Sequence, residues 1–151
     1  MKLREATPAD LAQAADVCNA AGRAPWTKEA LAPQTGRTVL VALQGNRIVG
    51  IAKTHFYPEP DGTAPAGHYL GGVLVLPAFR RQGVGSHLTR ARLDWIKERS
   101  ARAYYFANEH NAASIRMHEA MGFRPIARLP QIHGVNADEG RSELVLFECA
   151  P

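Results

Sequence analysis

The sequence predicts an α/β domain, and three observations carry that prediction. The first is an apolar run, Val73-Leu74-Val75-Leu76, closed by Pro77 and followed by a glycine-containing turn and a long amphipathic helix ending near Arg99. The second is a further helix from Asn111 that stops at Gly122-Phe123 and leads into another strand. The third is the order of elements, which reads β-α-α-β-β-β-α-β-α-β-β with no internal repeat. A chain of 151 residues with 46% hydrophobic and 21% charged residues fits one globular domain, taken here as 1–151.

Lys2 to Ala6 opens the chain as a short strand. Thr7-Pro8-Ala9-Asp10 then starts a helix, with Thr7 as N-cap, proline at the first helical position and an acid at the third. The helix runs through Leu11, Ala14, Ala15 and Val17 to Ala21, where Gly22 stops it. Thr27 caps a short second helix through Leu31, ended by Pro33. Trp26, just before it, is either an aromatic covering the core edge or a substrate wall.

Thr38–Leu43 is a strand, Gln44-Gly45-Asn46-Arg47 a hairpin turn, and Ile48–Phe56 the returning strand, in which Gly50 marks a bulge or a close approach. YPEPDGTAPAG, residues 57–67, holds three prolines and two glycines and reads as an irregular loop. Its Glu59 and Asp61 are solvated loop acids or contacts for an amine. The apolar run 73–76 is expected to be buried on both faces. After the turn, Val84, Leu88, Ala91 and Trp95 form one helix face. Arg102–Ala107 is an aromatic-rich strand, Asn111 caps the next helix, Phe123–Leu129 is a strand, 130–140 a loop, and Ser142–Cys149 the last strand.

The turn Arg80-Arg81-Gln82-Gly83-Val84-Gly85-Ser86 has a definite chemical use. The first N–H groups of a helix lack intrahelical partners, and the helix dipole adds positive charge there. Gly83 and Gly85 let a ligand approach the backbone, and Arg80 and Arg81 add full charge. The alternatives are a phosphate or pyrophosphate site and a plain strand-to-helix turn. The pattern lacks the lysine of a P-loop and the third glycine of a dinucleotide-binding fingerprint.

R-x-x-G-x-G after an apolar strand ending in proline resembles the acetyl-CoA signature of the GNAT superfamily of N-acetyltransferases. Asn111 to Phe123, NAASIRMHEAMGF, resembles that family's N-x-x-A-x-x-x-Y-E-x-x-G-F block. The order and spacing of the two blocks also match, so the resemblance covers nearly the whole chain. It implies a mixed central sheet with helices on both faces. It also implies that backbone groups of Val73 and Val75 hold the pantetheine arm of acetyl-CoA. Backbone N–H groups of Arg81, Gln82, Gly83, Val84, Gly85 and Ser86 would then hold the pyrophosphate.

On the helix after Asn111, spacing puts Ala113, Met117, Ala120 and Met121 on an apolar face and Asn111, Ser114 and His118 on a separate polar stripe. By spacing the stripe either points three polar groups at a ligand or, with Asn111 merely capping, leaves Ser114 and His118 facing water; by resemblance Asn111 and Ser114 contact CoA. The family's tyrosine, which often protonates the leaving thiolate, is replaced by His118. Histidine can carry that proton, or it can orient the thioester while water protonates the thiolate. No general base stands out among His68, Tyr69, Glu109 and His110.

The function implied is acetyl-CoA-dependent N-acetyl transfer to a primary amine by direct attack, with acetyl-CoA as co-substrate and no metal. A non-catalytic acyl-CoA sensor of the same fold is the alternative, supported by the missing tyrosine and base. The acceptor is a small-molecule or peptide amine. Net charge is +4, and the window Phe79–Arg99, with six Lys or Arg against two acids, carries an amount equal to that total. So local a charge favours an anion site over nucleic-acid binding. No apolar run is long enough to span a membrane, the N-terminal stretch MKLREATPAD has no apolar signal-peptide core, and Cys18 and Cys149 show no pairing or metal spacing. A cytoplasmic protein with two free thiols is expected. A homodimer is compatible with the family, though no feature of the sequence demands one.

Overall fold

The computed structural model describes residues 1–137 and 142–151. Its elements are β1 (Lys2–Glu5), α1 (Leu11–Ala20), α2 (Lys28–Leu31), β2 (Val39–Gln44), β3 (Arg47–Tyr57), β4 (Gly67–Val75), α3 (Val84–Lys97), β5 (Ala103–Asn108), α4 (Ala112–Ala120), β6 (Arg124–Leu129), β7 (Gln131–Ile132), β8 (Val135–Asn136) and β9 (Leu144–Cys149). Seven strands hydrogen-bond in the order β1-β2-β3-β4-β5-β9-β6. The sheet is mixed: β4 and β5 pair in parallel at Tyr69↔Tyr104, whereas β1 with β2, β2 with β3, and both β5 and β6 with β9 are antiparallel. Among the described residues no helix is long and apolar enough to cross a membrane.

The contacts group into two compact units, Met1–His55 with Gly71–Arg92, and Phe56–Leu70 with Leu93–Pro151. In the first, Val17 and Cys18 of α1, Leu31 of α2, Val41 of β2, Ile51 of β3 and Leu88 of α3 form one core. Its N-terminal corner is tied by Asp10, which accepts from Arg4 at 2.8 and 2.9 Å and from the Thr7 backbone N–H at 2.8 Å. The Arg4 hydrogen bond, followed by other effects, holds the Asp10 carboxyl below its usual range. A 3-10 turn, Pro8–Asp10, precedes α1, and Thr27 Oγ1 accepts from the Ala30 N–H at α2 as a cap should.

Gly50 combines both of its expected roles. The β2–β3 register shifts beside it, with Ala42 opposite Gly50 and Leu43 opposite Ile48, so Val49 is the extra residue. A Cβ on Gly50 would lie 2.8 Å from Val84 Cγ1 and 3.1 Å from Leu88 Cδ1. The bare backbone lets the first turn of α3 settle on β3.

Arg92, one of the six Lys or Arg counted in the window Phe79–Arg99, is withdrawn from any anion site by burial. Arg92 is 0% exposed. Its Nη1 donates to the carbonyls of Lys53 at 2.9 Å and Gly71 at 3.0 Å, its Nη2 to Thr89 Oγ1 at 3.0 Å, and its Nε to Leu88 O at 3.3 Å. A buried guanidinium is tolerated because its donors are used. Val73–Val75 are also only half-buried, not covered on both faces as their apolar run suggested, although they pack against the first core.

In the second unit β9 is buried on both faces, which explains its weak alternation. Val145, Phe147 and Cys149 pack with Leu93, Ile96, Tyr105 and Phe123, while Leu144 and Leu146 pack with Ala64, Tyr69 and Ile132. Cys18 and Cys149 are both buried free thiols. The segment 58–66 is irregular, with an isolated bridge Asp61↔Ala64. The loop expected over 130–140 instead contains the β7–β8 hairpin, with residues 138–140 of that expectation outside the described residues. His133 (φ 47) and Gly134 (φ 83) make its turn, a left-handed pair that His-Gly seldom advertises. Asp61 Oδ2 accepts from the His133 N–H at 2.8 Å, so this acid anchors the hairpin to the 58–66 segment.

Replacing Arg92 with Met keeps much of its volume but leaves the Lys53 and Gly71 carbonyls without this donor. Urea unfolding is expected to show a loss of about 3 kcal/mol, because orphaned buried acceptors are costly; a loss under about 0.5 kcal/mol would contradict the role given to Arg92.

Candidate active site

In the first unit, β4 ends at Val75, Leu76 is buried, and a 3-10 turn Pro77–Phe79 leads to the arginine–glycine segment. Arg81 (φ 61) and Gly83 (φ 83) are both left-handed, with Gln82 between them. Alternation of this kind turns successive backbone N–H groups toward one side, a concavity suited to an anion. The conformation suits Gly83, whereas Arg81 adopts it at a cost. Beyond it, the first N–H groups of α3 add to the same donor set, and His87 N–H closes the first helical bond to Gly83 O at 2.9 Å.

The predicted phosphate residues fall together here. Arg81, Gln82 and Gly83 are exposed, Gly85 and Ser86 half-buried, and the Val84 side chain is buried in the core. A Cβ on Gly85 would meet nothing within 4 Å, so the space over the turn is open. Arg80 Nε donates to Val75 O at 3.2 Å and Gln82 Nε2 to Ala78 O at 3.2 Å, bracing the turn from outside. Val73 and Val75 stand half-buried on β4, and the Val75 carbonyl is already an acceptor for Arg80.

A second group in this unit was not found by sequence reasoning. Lys53 Nζ lies 4.5 Å over the Trp26 ring. A Cβ on Gly71 would sit 2.9 Å from the His55 ring and from Lys53 Cγ, and one on Gly72 would sit 3.7 Å from Trp26 Cζ2. Trp26 is thus a wall beside β4 that also packs on the core edge. Burial first, then Lys53 and Arg37, pushes the His55 imidazole down to about 4. Burial, then Arg37, lowers the Lys53 ammonium, against a smaller opposing effect of Cys18. The strand alternation of β3 was the available signal, since Lys53 and His55 share one face.

In the second unit, α4 is rotated from the expected orientation. The packed residues are Ser114, Ile115, Met117, His118 and Met121, while Ala113 and Ala120 are exposed. Small alanines compete poorly with Ile115 and an aromatic stack for the buried side. His118 is 2% exposed and stacks on Tyr105 with ring centroids 3.5 Å apart and planes 4° apart. Its Nδ1 lies 2.7 Å from Ser114 O. A carbonyl only accepts, so Nδ1 carries the proton, and Nε2 is the acceptor nitrogen of the neutral ring. Tyr105 OH and Ser114 Oγ share a hydrogen bond. Asn111 is exposed at the N-cap position without a side-chain cap bond. The structure therefore brings Ser114 and His118 together around Tyr105, which the sequence placed only in an aromatic-rich strand.

The candidate bases are occupied to different degrees. Tyr69 OH donates to Pro65 O at 2.6 Å, and burial raises its proton affinity. Glu109 accepts from Arg128 at 2.9 Å and lies 3.7 Å from the exposed His110. His68 is buried between Phe56 and Trp95, and its Nδ1 has no hydrogen-bond partner among the described residues. Burial, then Arg99, lowers its proton affinity.

The depressed His55 has a stability consequence with a definite sign. Between pH 6.5 and about 4 the unfolded chain binds a proton at this side chain that the folded chain does not. Its contribution is complete above pH 6.5 and is lost as pH falls toward 4, with His68 acting in the same direction. Chemical unfolding across that range is expected to show stability falling with acidification and a flatter profile in His55→Gln; an unchanged slope in the variant would contradict the assignment.

Comparison with known proteins bears on this geometry. Residues 9–123 match the acetyltransferase (GNAT) family. A stretch of 71 residues is 38% identical to an aminoglycoside N(6')-acetyltransferase type 1 of Acinetobacter haemolyticus, covering 45% of this chain and 47% of that relative. The chain thus spans less than half the length of the curated relatives it matches. The fold is similar to that of the ribosomal-protein-S18-alanine N-acetyltransferase of Escherichia coli, with a TM-score of 0.76, 20% identity, and coverage of 99% of this chain and 92% of that one. It is also similar to NAA60 of Arabidopsis thaliana in complex with acetyl-CoA, with a TM-score of 0.73, 16% identity, and coverage of 99% and 97%. The family match spans the left-handed arginine–glycine turn and the helix carrying His118, and the chain belongs to the GNAT acetyltransferase family.

Proposed function

We propose that this protein is an acetyl-CoA-dependent N-acetyltransferase acting on a primary amine. The observation that carries the proposal is the left-handed pair Arg81 and Gly83 leading into the open first turn of α3. In a member of this family, such a turn fits the pyrophosphate of CoA. Backbone N–H groups of residues 81–86 bind the phosphates, with Arg81 adding charge. The half-buried Val73 and Val75 leave β4 partly uncovered, which suits a strand that binds the pantetheine arm. Asn111 and Ser114 are proposed as further CoA contacts, Ser114 through rearrangement of its hydrogen bond with Tyr105.

In the reaction, the neutral amine nitrogen attacks the thioester carbonyl. The new N–C bond forms, the C–S bond breaks, the nitrogen loses a proton to solvent or a base, and the thiolate gains one. The imidazolium form of His118, protonated at both nitrogens, is the proposed donor to the thiolate and is left as the neutral Nδ1–H ring. Its Nδ1 is anchored on Ser114 O, so Nε2 is the nitrogen that exchanges the proton. The depth of His118 beneath Tyr105 favours one rival reading, a sensor that binds acyl-CoA without turnover.

Free-CoA release with a panel of primary amines separates the two readings. Turnover that depends on the amine supports the transferase, and saturable acetyl-CoA binding with no release for any amine supports the sensor. His118→Phe preserves a ring for the stack. It is expected to lower kcat about 100-fold with acetyl-CoA affinity retained, and to change the pH profile of kcat, as loss of a general acid does. Wild-type kcat with an unchanged profile would remove His118 from the role.

A further inference from the structure

Lys53 and Arg37 are half-buried cations of the first unit; burial, then the Arg37 charge, lowers the Lys53 ammonium, and neither has a carboxylate within ion-pair distance among the described residues. Arg37 is committed to backbone, donating to the carbonyls of Ala30 at 2.9 Å and Glu29 at 3.1 Å. The carboxylate attached to the next residue, Glu5, accepts from Thr38 Oγ1 at 3.1 Å. The Lys53 ammonium rests on the Trp26 face, 4.5 Å from its centroid. Like charges brought together out of water are costly unless an anion completes the group. The opposing strand is bare here: Gly71 leaves backbone where a side chain would strike His55 and Lys53, and a Cβ on Gly72 would come only into ordinary contact with Trp26. These glycines directly precede Val73 on β4.

We propose that Lys53, seated on Trp26 beside Arg37, binds a carboxylate, and, resting on the acetyltransferase reading above, that this is the carboxylate of the amine to be acetylated. The acceptor class is then an amine carrying a carboxylate, such as an amino acid or a peptide. Lys53 supplies the direct contact, because the Arg37 fork is held by carbonyls and contributes only its field. Trp26 supplies an apolar wall that keeps the ion pair partly out of water, where it is stronger.

The test uses a Trp95→Phe background, in which Trp26 is the one remaining tryptophan of the two in the sequence. Trp26 emission is followed during titration with succinate, and with succinamide as the neutral control. Succinate is expected to give a saturable change at least about tenfold tighter than succinamide, weakened about tenfold by Lys53→Met and retained by Lys53→Arg, as for loss of one charged contact. Equal responses to the two probes, no saturable response to succinate, or an unaffected Lys53→Met variant would each overturn the site. The measurement contains no acetyl-CoA. Succinate binding in a protein that transfers no acetyl group would retain the carboxylate site while removing its assignment to an acceptor.

Discussion

The seating of α3 on β3 and β4 is the constraint on which the arginine–glycine turn depends. Two contacts fix it. At its first turn, Val84 and Leu88 occupy the space that a side chain at Gly50 would need. Two turns later the buried Arg92 reaches out of the helix to the carbonyls of Lys53 and Gly71. The helix can thus neither lift from β3 at its start nor rotate about its axis. Its orphan N–H groups are consequently presented at one place, directly after the left-handed turn at Arg81 and Gly83. The same guanidinium also fixes the backbone beneath Lys53, so the two proposed anion sites of this unit share one anchor.

The second unit solves a different problem, holding a polar side chain in an apolar setting. His118 is stacked on Tyr105, edged by Phe123 and bonded to the carbonyl one turn earlier. These contacts set its tautomer and ring plane before any ligand is considered. A ring held in this way has little orientational freedom to lose, which is what a proton donor aimed at a fixed atom requires. The hydroxyl pair Tyr105–Ser114 continues the polar line from the same helix turn.

The order of elements, the glycine turn, the Gly50 approach and the irregular 58–66 segment were all legible, because proline, glycine and hydrophobic periodicity report local backbone demands directly. The face of α4 was not. Ala113 and Ala120 counted as apolar in a periodicity argument, yet an alanine buries little area, and the stack of His118 on Tyr105 outweighs it. The burial of Arg92 was not legible for a related reason: charge in sequence says nothing of whether carbonyls from other strands converge on it. The β7–β8 hairpin was missed because its left-handed turn uses His133 rather than asparagine or a second glycine. Of the candidate site, the backbone-based part was legible. The Lys53–Trp26 pair was not, since it joins residues distant in sequence.

The central claim is that the turn at 81–86 holds the pyrophosphate of acetyl-CoA, and one titration tests it most directly. Thermal unfolding is followed with acetyl-CoA, with ATP as control, in the native chain and in Gly85→Glu, a position where added atoms meet open space and the fold should persist. The account predicts stabilisation of about 2.7 kcal/mol at a hundred times the dissociation constant for acetyl-CoA, none for ATP, and none in the variant. No stabilisation of the native chain by acetyl-CoA, or an equal stabilisation of Gly85→Glu, would contradict it.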